Sequence, residues 1–497
     1  MSQLRYFLFL VAGAAWAAFF SCSDPGNETV AAPETQAQGL RKVRASPHKK
    51  PNFLLLVLDT SRADYFSCYG HEKRTTPHID ALAAEGMRYE AAFSTCFWTF
   101  PSHASLLTGL YPTEAGATSE TLFLSNEVST LAEQLRDAGY HTGAIVRNPW
   151  LSVERGFHQG FVDYHEAWRN DDGLHGQDAG ERAAAEKAVA WLHARRREEK
   201  PFFLFVNLNI AHLPYAPPEE VRSRFLASER PQARVDELMQ LTGGWEHLAG
   251  ESPLDDMDLQ ILKELYEADI ACADLLASLL FDALKDQGLL DETVVIVTSD
   301  HGENIGEHGM IDHVFSLFDT TVRVPLIIRY PSRFPRGGVC GDLVSLIDVA
   351  PTVLDLCGAL QPGEDTEPLR FSLCNAKREK RSAIFAENDR PLNGIELLNR
   401  HFPRFDTHAL DHRMRMVRTA RYKLIVHVMA DMQLFDLAAD PSETRDRSKE
   451  EKKARRNLYA SVKAWTSQMK QRDPAQPFES RDSENLQKLR ELGYMGE

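Results

Sequence analysis

The sequence predicts an α/β fold: a sandwich with a mostly parallel central sheet, followed by a small C-terminal α+β subdomain. Long apolar runs alternate with helical segments, polar clusters follow several of these runs, and short alternating strands take over after about residue 376. A continuous apolar run is typical of a parallel strand buried on both faces, and alternation with helices is typical of doubly wound sheets. The 497 residues, 43% of them hydrophobic, suffice for one large domain and a smaller one.

The N-terminus has the pattern of an export signal. Arg5 precedes an apolar run that ends at Phe20, which is short for a membrane-spanning helix. We assign residues 1–22 to the signal peptide. Cys22 resembles the lipidated residue of bacterial lipoproteins, with Phe19 in place of the usual Leu, and a cleaved signal with an incidental Cys is the alternative. We expect an exported protein of the periplasm or cell envelope, with membrane attachment if Cys22 carries lipid.

A polar, Pro- and Ala-rich tether is expected over residues 23–50, and the catalytic domain over residues 51–375. The strands expected in this domain are, in order, NFLLLVL from Asn52, the GAIV segment before Arg147, PFFLFVNLN, ETVVIVT, and VRVPLIIRYP. The expected helices are HIDALAAEG after Thr76-Pro77, SHASLLTGL from Pro101, STLAEQLRDAG, residues 180–198 and residues 255–287. Pro suits the first position of a helix, and Gly86 ends the first one.

The C-terminal subdomain is expected over residues 376–473. RMVRTARYKLIVHVM and MQLFDLAADPSE are typical of short antiparallel strands with turns, and residues 449–469 are expected to be helical. The polar segment 474–497 is expected to be a tail.

The overall charge and the cysteines limit the function classes. A net charge of −16 and a pI of about 5.6 argue against a nucleic-acid binder, which normally has a basic face. The six cysteines after Cys22 match no zinc pattern, and an exported chain can pair some of them. Cys357 lies in the apolar run LIDVAPTVLDLCGAL, so we expect it to pack in the core.

Four polar clusters hold the candidate catalytic residues. They are DTSRAD with Asp59 and Arg62, TFPSH with Thr99 and His103, NIAHLPY with His212, and SDHGENIGEHGMIDH with Asp300, His301, His308 and His313. The ends of strands in an open α/β sheet converge on one crevice, so we expect these side chains to meet there.

The residue types suggest a metal-assisted ester cleavage. Asp59, Asp300 and His301 can hold one divalent cation, and oxygen ligands with an imidazole suit zinc or manganese better than calcium or magnesium. Thr99 is the natural hydroxyl ligand and nucleophile, because a cation lowers the pKa of such a group. Thr99 precedes a helix expected to begin at Pro101, and the helix N-terminus favours a transferring anion.

The remaining candidates would assist that reaction. Arg62, His103 and His212 can donate to ester oxygens, and His308 or His313 can protonate the leaving group. Each residue also has a structural interpretation when taken alone. Asp59 suits a loop, Thr99 suits a helix cap, and the histidines suit structural roles.

The order of the motifs resembles that of the sulfatases of the alkaline phosphatase superfamily over most of the chain. The matching stretches are PNFLLLVLDTSRADYFSCYG, TPHIDALAAEGMRYEAAFST, PSHASLLTGLYP, LAEQLRDAGYHTGAIV, FFLFVNLNIAHLPYAPP, VVIVTSDHGENIGEHG, VRVPLIIRYP, VSLIDVAPTVLDLCG, RYKLIVH and LFDLAADPSE. The resemblance implies an alkaline-phosphatase-like sandwich, one active-site metal, and cleavage of sulfate or related esters. It places Asp59, Asp300 and His301 on metal-ligand positions and His212 on an active-site position.

The sequence departs from that family at its most characteristic positions. Thr99 stands where sulfatases carry the Cys or Ser that becomes formylglycine, and a Thr cannot be converted. His103 replaces an Arg, Thr60 replaces a second metal-binding Asp, and His313 lies near the place of a usual Lys. A Thr nucleophile is similar to that of the phosphodiesterases and phosphoethanolamine transferases of the same superfamily.

These observations leave several functional hypotheses. One is a hydrolase or transferase of sulfate or phosphate-type esters in which Thr99 attacks. A second is an enzyme that resembles those phosphodiesterases and transferases and acts only on phosphorus esters. A third is a formylglycine-free sulfatase in which Thr99 positions an activated water. A fourth is a non-catalytic, sulfatase-like glycan-binding protein. The expected substrate is a small-molecule, glycan or lipid ester.

Overall fold

The computed structural model describes residues 50–170, 177–196, 198–359, 371–375, 378–470 and 487. The predicted signal peptide with Cys22, the tether before Lys50, and the tail apart from Gln487 lie outside the described residues. The boundaries proposed for these segments, and that between the two domains, remain predictions. Among the described residues, no helix combines the length and apolarity needed to cross a bilayer.

The described residues contain fifteen strands. They are β1 Asn52–Leu58, β2 Met87–Phe93, β3 His141–Val146, β4 Asp163–Glu166, β5 Phe202–Leu208, β6 Thr293–Thr298, β7 Asn304–Ile305, β8 Ile311–Asp312, β9 Arg323–Val324, β10 Leu326–Arg329, β11 Gly338–Ser345, β12 Ile384–Asn388, β13 Met414–Arg418, β14 Tyr422–His427 and β15 Met432–Asp436.

The α-helices of the same residues are numbered in chain order. They are α1 Pro77–Ala84, α2 Thr99–Thr108, α3 Pro112–Ala115, α4 Leu131–Asp137, α5 Gln177–Arg195, α6 Glu219–Arg222, α7 Gln232–Leu238, α8 Trp245–Ala249, α9 Asp256–Asp286, α10 Asp319–Val322, α11 Val349–Cys357, α12 Leu392–His401 and α13 Lys452–Gln468.

The large sheet is mostly parallel, which confirms the predicted fold class. Its strand order is β11-β2-β10-β6-β1-β5-β3-β4, with β9 paired to β2. Strand β1 lies parallel to β5 and to β6, whereas β10 runs antiparallel to β6 and to β2. The strands with the longest apolar runs, β1, β5 and β6, therefore occupy the middle of the sheet, and their carboxyl ends meet at one edge.

Helices cover both faces of this sheet. Along β1, Leu54, Leu56 and Leu58 face one core, whereas Phe53, Leu55 and Val57 face the other, because successive side chains of a strand point to opposite faces. Residues of α1, α5 and α9 pack in the first core, and residues of α2, α4 and α11 pack in the second. This three-layer arrangement explains why β1 is apolar at every position from Phe53 to Leu58.

A separate antiparallel sheet lies near the C-terminus, in the order β12-β13-β14-β15. One face packs against Leu458 and Val462 of α13. The other face, which includes Met416 and Ile425, packs against Phe93 and Leu317 of the larger unit. The predicted α+β subdomain is thus present and is joined to the catalytic part through an apolar contact.

The structure corrects the start of one helix, adds two strands that were not predicted, and shows the state of the cysteines. Helix α2 begins at Thr99 instead of Pro101, so Thr99 belongs to its first turn. Strands β2 and β11 were not predicted, because both are partly exposed and alternate less clearly than the central strands. The six cysteines within the described residues are all free, and Cys357 packs in the core as predicted.

Candidate active site

Two adjacent strand ends bring three predicted metal ligands together. Asp59 directly follows β1, and Asp300 and His301 follow the neighbouring parallel strand β6. The three side chains are fully buried, and one ligand atom of each lies within 4.8 Å of the others. The Nε2 atom of His301 lies 3.7 Å from Oδ1 of Asp59 and 3.3 Å from Oδ2 of Asp300.

The buried carboxylates have the properties of a cation site. By hydrogen-bond geometry, Oδ1 of Asp59 and Oδ2 of Asp300 have no partner among the described residues, although Oδ2 of Asp300 lies 3.3 Å from an imidazole nitrogen of His103 and of His301. Burial, followed by the charge of Asp300, raises the pKa of Asp59 from 3.8 to about 8. Burial also opposes the charge on Asp300, but the neighbouring His301 and His103 outweigh it and hold its pKa below the usual value. A divalent cation between the two carboxylates would fill both unused oxygens and stabilise their charged forms.

The hydroxyl group of Thr99 lies beside this cluster. Its Oγ1 atom is 3.4 Å from Nε2 of His301 and 3.2 Å from Nδ2 of Asn148. The side chain is fully buried in the first turn of α2, whose N-terminus favours negative charge. A nucleophile at this position would attack an ester held between the helix terminus and the carboxylates.

Two asparagines that the sequence analysis missed hold the cluster in place. Asn148, just after β3, donates from Nδ2 to Oδ2 of Asp59 at 2.9 Å as well as to Thr99. Asn207, within β5, donates to the same Asp59 oxygen at 3.2 Å. Both lie where neighbouring parallel strands approach their carboxyl ends, so the reasoning that selected Asp59 and Asp300 also applied to them.

His103 supports the ligands from the interior of α2. Its Nδ1 atom lies 2.9 Å from the carbonyl oxygen of Thr99 and 3.3 Å from Oδ2 of Asp300. Burial opposes its charge, but Asp300 outweighs burial and raises the pKa of His103 above the usual range. The imidazole therefore connects Thr99 to the carboxylate of Asp300, one of the predicted metal ligands.

His212 and His313 form an imidazole group next to His301. The ring of His313 lies 4.5 Å from that of His301 and 4.9 Å from that of His212, measured between centroids. Burial and the nearby His313 lower the pKa of His212 to about 4, so it is neutral near pH 7.

Two buried carboxylates hold His313. Its Nδ1 atom lies 2.9 Å from Oδ1 of Asp312 and 3.4 Å from Oε1 of Glu303. Burial would lower the pKa of His313, but these carboxylates outweigh it and raise the pKa well above the usual value. Glu303, Asp312 and His313 also have the spacing of a cation-binding group, and the ion pair with a protonated His313 accounts for their arrangement.

The structure does not bring Arg62 and His308 into this group. The guanidinium of Arg62 contacts Asp64 at 2.7 Å and Glu307 at 2.8 Å. The ring of His308 stacks on Phe318 with centroids 3.6 Å apart. The predicted role of Arg62 as an ester donor and that of His308 as an acid therefore gain no support from their positions, because neighbouring side chains engage both groups.

Thr60 has a structural position next to Asp59. Its hydroxyl lies 2.8 Å from the carbonyl oxygen of Asp59 and 2.5 Å from that of Ala211. A hydroxyl held between two backbone carbonyls fixes the turn after β1. The group that could hold a cation consists of Asp59, Asp300 and His301.

Comparison with known proteins places this geometry in a family. The sulfatase family model matches residues 51–359, and the model for the C-terminal part of N-sulphoglucosamine sulphohydrolase matches residues 306–472. The N-acetylglucosamine-6-O-sulfatase of Bacteroides thetaiotaomicron is 24% identical, with 86% of this chain and 88% of the relative covered. The multifunctional alkaline phosphatase superfamily protein PehA of Trinickia caryophylli is 25% identical, with 79% and 90% covered.

A solved structure has a similar fold. The phosphonate monoester hydrolase of Agrobacterium radiobacter superposes with a TM-score of 0.66 at 24% identity, covering 84% of this chain and 95% of that one. The likeness supports the alkaline-phosphatase-like sandwich inferred above.

Proposed function

The chain belongs to the sulfatase family and is a hydrolase of that family, and we propose that it cleaves sulfate or phosphate-type esters with Thr99 as the nucleophile and a divalent cation as cofactor. The observation that carries this proposal is the position of the Thr99 hydroxyl. It lies next to a buried carboxylate–imidazole group that contains two oxygens without hydrogen-bond partners.

Asp59, Asp300 and His301, with the Thr99 hydroxyl as a fourth ligand, would hold the cation. Zinc or manganese suits this donor set better than calcium or magnesium. When bound, the cation lowers the pKa of a hydroxyl and neutralises the charge of an ester. The Asn148 amide donates to Oγ1 of Thr99 and would stabilise the negative charge that develops there.

The reaction would proceed in two displacements. In the first, Oγ1 of Thr99 loses its proton to solvent and bonds to the central phosphorus or sulfur, while the bond to the leaving oxygen breaks. The leaving alcohol takes a proton from His313, which Asp312 and Glu303 hold in its charged form. In the second, water or another alcohol attacks the same centre and gives its proton to the now neutral His313, the bond to Thr99 breaks, and the threonine oxygen regains a proton from solvent.

The second displacement favours phosphorus. Water can attack a phosphothreonine directly. In a formylglycine sulfatase, a second hydroxyl on the same carbon expels sulfate, and a threonine has no such group. We therefore expect phosphate monoesters, diesters or phosphonate esters to be turned over faster than sulfate esters. An enzyme restricted to phosphorus esters is the second candidate, and this chemistry is the observation that favours it.

The other residues would bind and position the ester. His212, neutral near pH 7, donates its one ring hydrogen from Nδ1 to the carbonyl oxygen of Leu213, so its Nε2 would accept a hydrogen bond from a water or hydroxyl group at the ester. His103 would hold Thr99 and Asp300 in their relative positions. A formylglycine-free sulfatase would instead use Thr99 only to orient water. A glycan-binding protein without catalysis would have no use for the unpartnered oxygens of Asp59 and Asp300.

The cellular location extends the proposal beyond the active site. The pattern of residues 1–22 supports export to the periplasm or cell envelope, and Cys22 supports attachment through a lipid. Membrane fractionation of the wild type and of a Cys22→Ser variant tests this. Lipidation is supported if the variant is found in the soluble fraction and the wild type stays in the membrane fraction. The substrate would be a small-molecule, glycan or lipid ester.

A panel of esters tests the proposed reaction. Aryl sulfate, phosphate monoester, phosphodiester and phosphonate ester with one common leaving group are compared in the wild type and in Thr99→Ala, with zinc or manganese added. Phosphorus-ester turnover that disappears in Thr99→Ala supports the nucleophile. Sulfate turnover that persists in the variant assigns the reaction to an activated water instead.

A further inference from the structure

An apolar cleft opens beside the candidate active site. It is narrow and open to solvent on one side. Its walls are mainly aromatic and aliphatic, formed by Phe97, Trp98, Trp150, Trp245, Phe315 and Leu392. The catalytic part and the C-terminal subdomain both contribute, since Leu392 is the first residue of α12.

The cleft lies next to the reacting groups. Trp98 immediately precedes Thr99, and Trp150 follows shortly after Asn148, whose amide contacts the Thr99 hydroxyl. His313, the proposed acid, forms part of the wall. The group bonded to the leaving oxygen of an ester at Thr99 would therefore extend into this cleft.

Most polar side chains in the wall are already engaged within the protein, although the indole N–H of Trp245 has no hydrogen-bond partner among the described residues. Ser119 bonds to the carbonyl of Arg390, and Asp312 holds His313. Oδ1 of Asn388 accepts from Nε1 of Trp98 at 3.0 Å. A sugar ring would lose water from its hydroxyls here and find few replacements, which is costly.

The charges also argue against an anionic sugar. None of the described residues that line the cleft is Lys or Arg. The nearby guanidinium groups are paired, Arg390 with Asp411 and Arg413 with Glu120 at 3.1 Å. A sulfated or carboxylated glycan would find no lysine or arginine in the wall, and the charge of His313 is already paired with Asp312 and Glu303.

From these contacts we infer that the cleft binds the leaving group, and that the natural substrate is an ester of an uncharged, hydrophobic alcohol. Flat aromatic walls would bury an apolar ring or chain, and the ester oxygen bonded to that group would face His313. The inference rests on the proposed function and adds the substrate class to it. It separates this chain from the glycan-active relatives with which it shares a family.

Two esters of primary alcohols test the inference without a difference in leaving-group chemistry. Cyclohexylmethyl phosphate and glucose 6-phosphate share a six-membered ring and a primary leaving oxygen and differ in ring polarity. We expect kcat/KM to be at least about tenfold higher for the cyclohexylmethyl ester, the effect of burying one apolar ring. An equal or higher value for the glucose ester would overturn the inference.

Variants of the wall provide the second part of the test. Trp245→Ala should lower kcat/KM about tenfold more for the cyclohexylmethyl ester than for the glucose ester. Leu392→Arg should also lower kcat/KM for the cyclohexylmethyl ester. Val339→Arg is the control, because it places the same charge at a 55% exposed position away from the cleft, and it should leave kcat/KM for this ester unchanged. Equal losses for both esters would contradict a role in selecting the leaving group.

A binding measurement separates this inference from the proposed reaction. If no ester is turned over, binding of cyclohexylmethylphosphonate and methylphosphonate is compared through quenching of tryptophan fluorescence, with zinc or manganese present. At least about tenfold tighter binding of the cyclohexylmethyl compound, weakened in Trp245→Ala, supports the cleft even though the proposed reaction has failed. Equal affinities refute it.

Discussion

The amide of Asn148 should be one of the strongest contributors to the rate. Its nitrogen lies 2.9 Å from Asp59, 3.2 Å from Thr99 and 3.1 Å from Asn209, and it carries two hydrogens for these three acceptors. In Asn148→Ala, Asp59 keeps the longer hydrogen bond from Asn207. The hydroxyl of Thr99, the proposed nucleophile, loses the hydrogen bond that the amide of Asn148 donates to it.

The magnitude follows from the charge on the acceptors. A hydrogen bond to a charged group contributes about 1.5–3 kcal/mol, and loss of one donor aimed at developing charge lowers kcat about 10²–10³-fold. We expect a fall of this size in kcat/KM for a phosphate monoester, with KM changed little because the donor acts on the nucleophile.

The assay needs a control for folding, since Oδ1 of Asn148 also accepts from the backbone of Trp150 at 3.0 Å. Asn148→Asp keeps that acceptor and the size of the side chain but removes the donor and adds a charge near Asp59. Both variants should therefore be slow, and metal content and melting temperature should be measured for each. Wild-type kinetics in a folded, metal-loaded Asn148→Ala protein would refute the reasoning.

Three further predictions follow from buried charges. In metal-free protein the pKa of Asp59 is raised from 3.8 to about 8, so between these pH values the native state holds a proton that the unfolded chain has released, and the free energy of unfolding falls as pH rises. Calorimetry at several pH values should show that saturating zinc removes this pH dependence. An unchanged pH dependence would count against Asp59 as a ligand. His313→Ala should lose at least about tenfold in kcat, whereas His308→Ala, whose ring stacks on Phe318, should not; the reverse ranking in steady-state kinetics would contradict the assignment of the acid. Lys423→Ala should lower the free energy of unfolding by about 3 kcal/mol, because it leaves the buried carboxylate of Glu443 without its cation while Asp319 keeps Arg418, and denaturant titration with no significant change would contradict this.

The middle of the sheet could be predicted because its strands are buried on both faces. In β1 and β6 every residue is buried, so the apolar run marks the element directly. Strands β2 and β11 lie toward the edge and mix buried, half-buried and exposed residues without regular alternation, which leaves a weaker pattern. Helix α2 begins two residues before its proline, so a proline located the helix without fixing its first residue.

The candidate site was predictable where a strand end set the position. Asp59, Asp300 and His301 follow adjacent parallel strands, and strand order alone brings them together. Residues whose side chains are directed by local contacts were not predictable in this way. Arg62 turns to Asp64 and Glu307, a choice of partners that motif spacing does not encode.

The asparagines show a different limit. Asn148 and Asn207 are uncharged and lie in or next to apolar segments, so attention to titratable residues passes over them. Their amides matter because they contact a buried carboxylate from adjacent strands. A search of strand ends for every hydrogen-bonding side chain would have found both.

The most direct test of the account is to trap the enzyme on its nucleophile. Metal-loaded protein is mixed with a fast phosphate ester, quenched in acid during turnover, digested and examined by mass spectrometry, with Thr99→Ala as the control. The account predicts a phosphoryl group on Thr99 in the wild type, and neither label nor turnover in the variant. Turnover that persists in Thr99→Ala would contradict it, because the hydroxyl would then not be the attacking group.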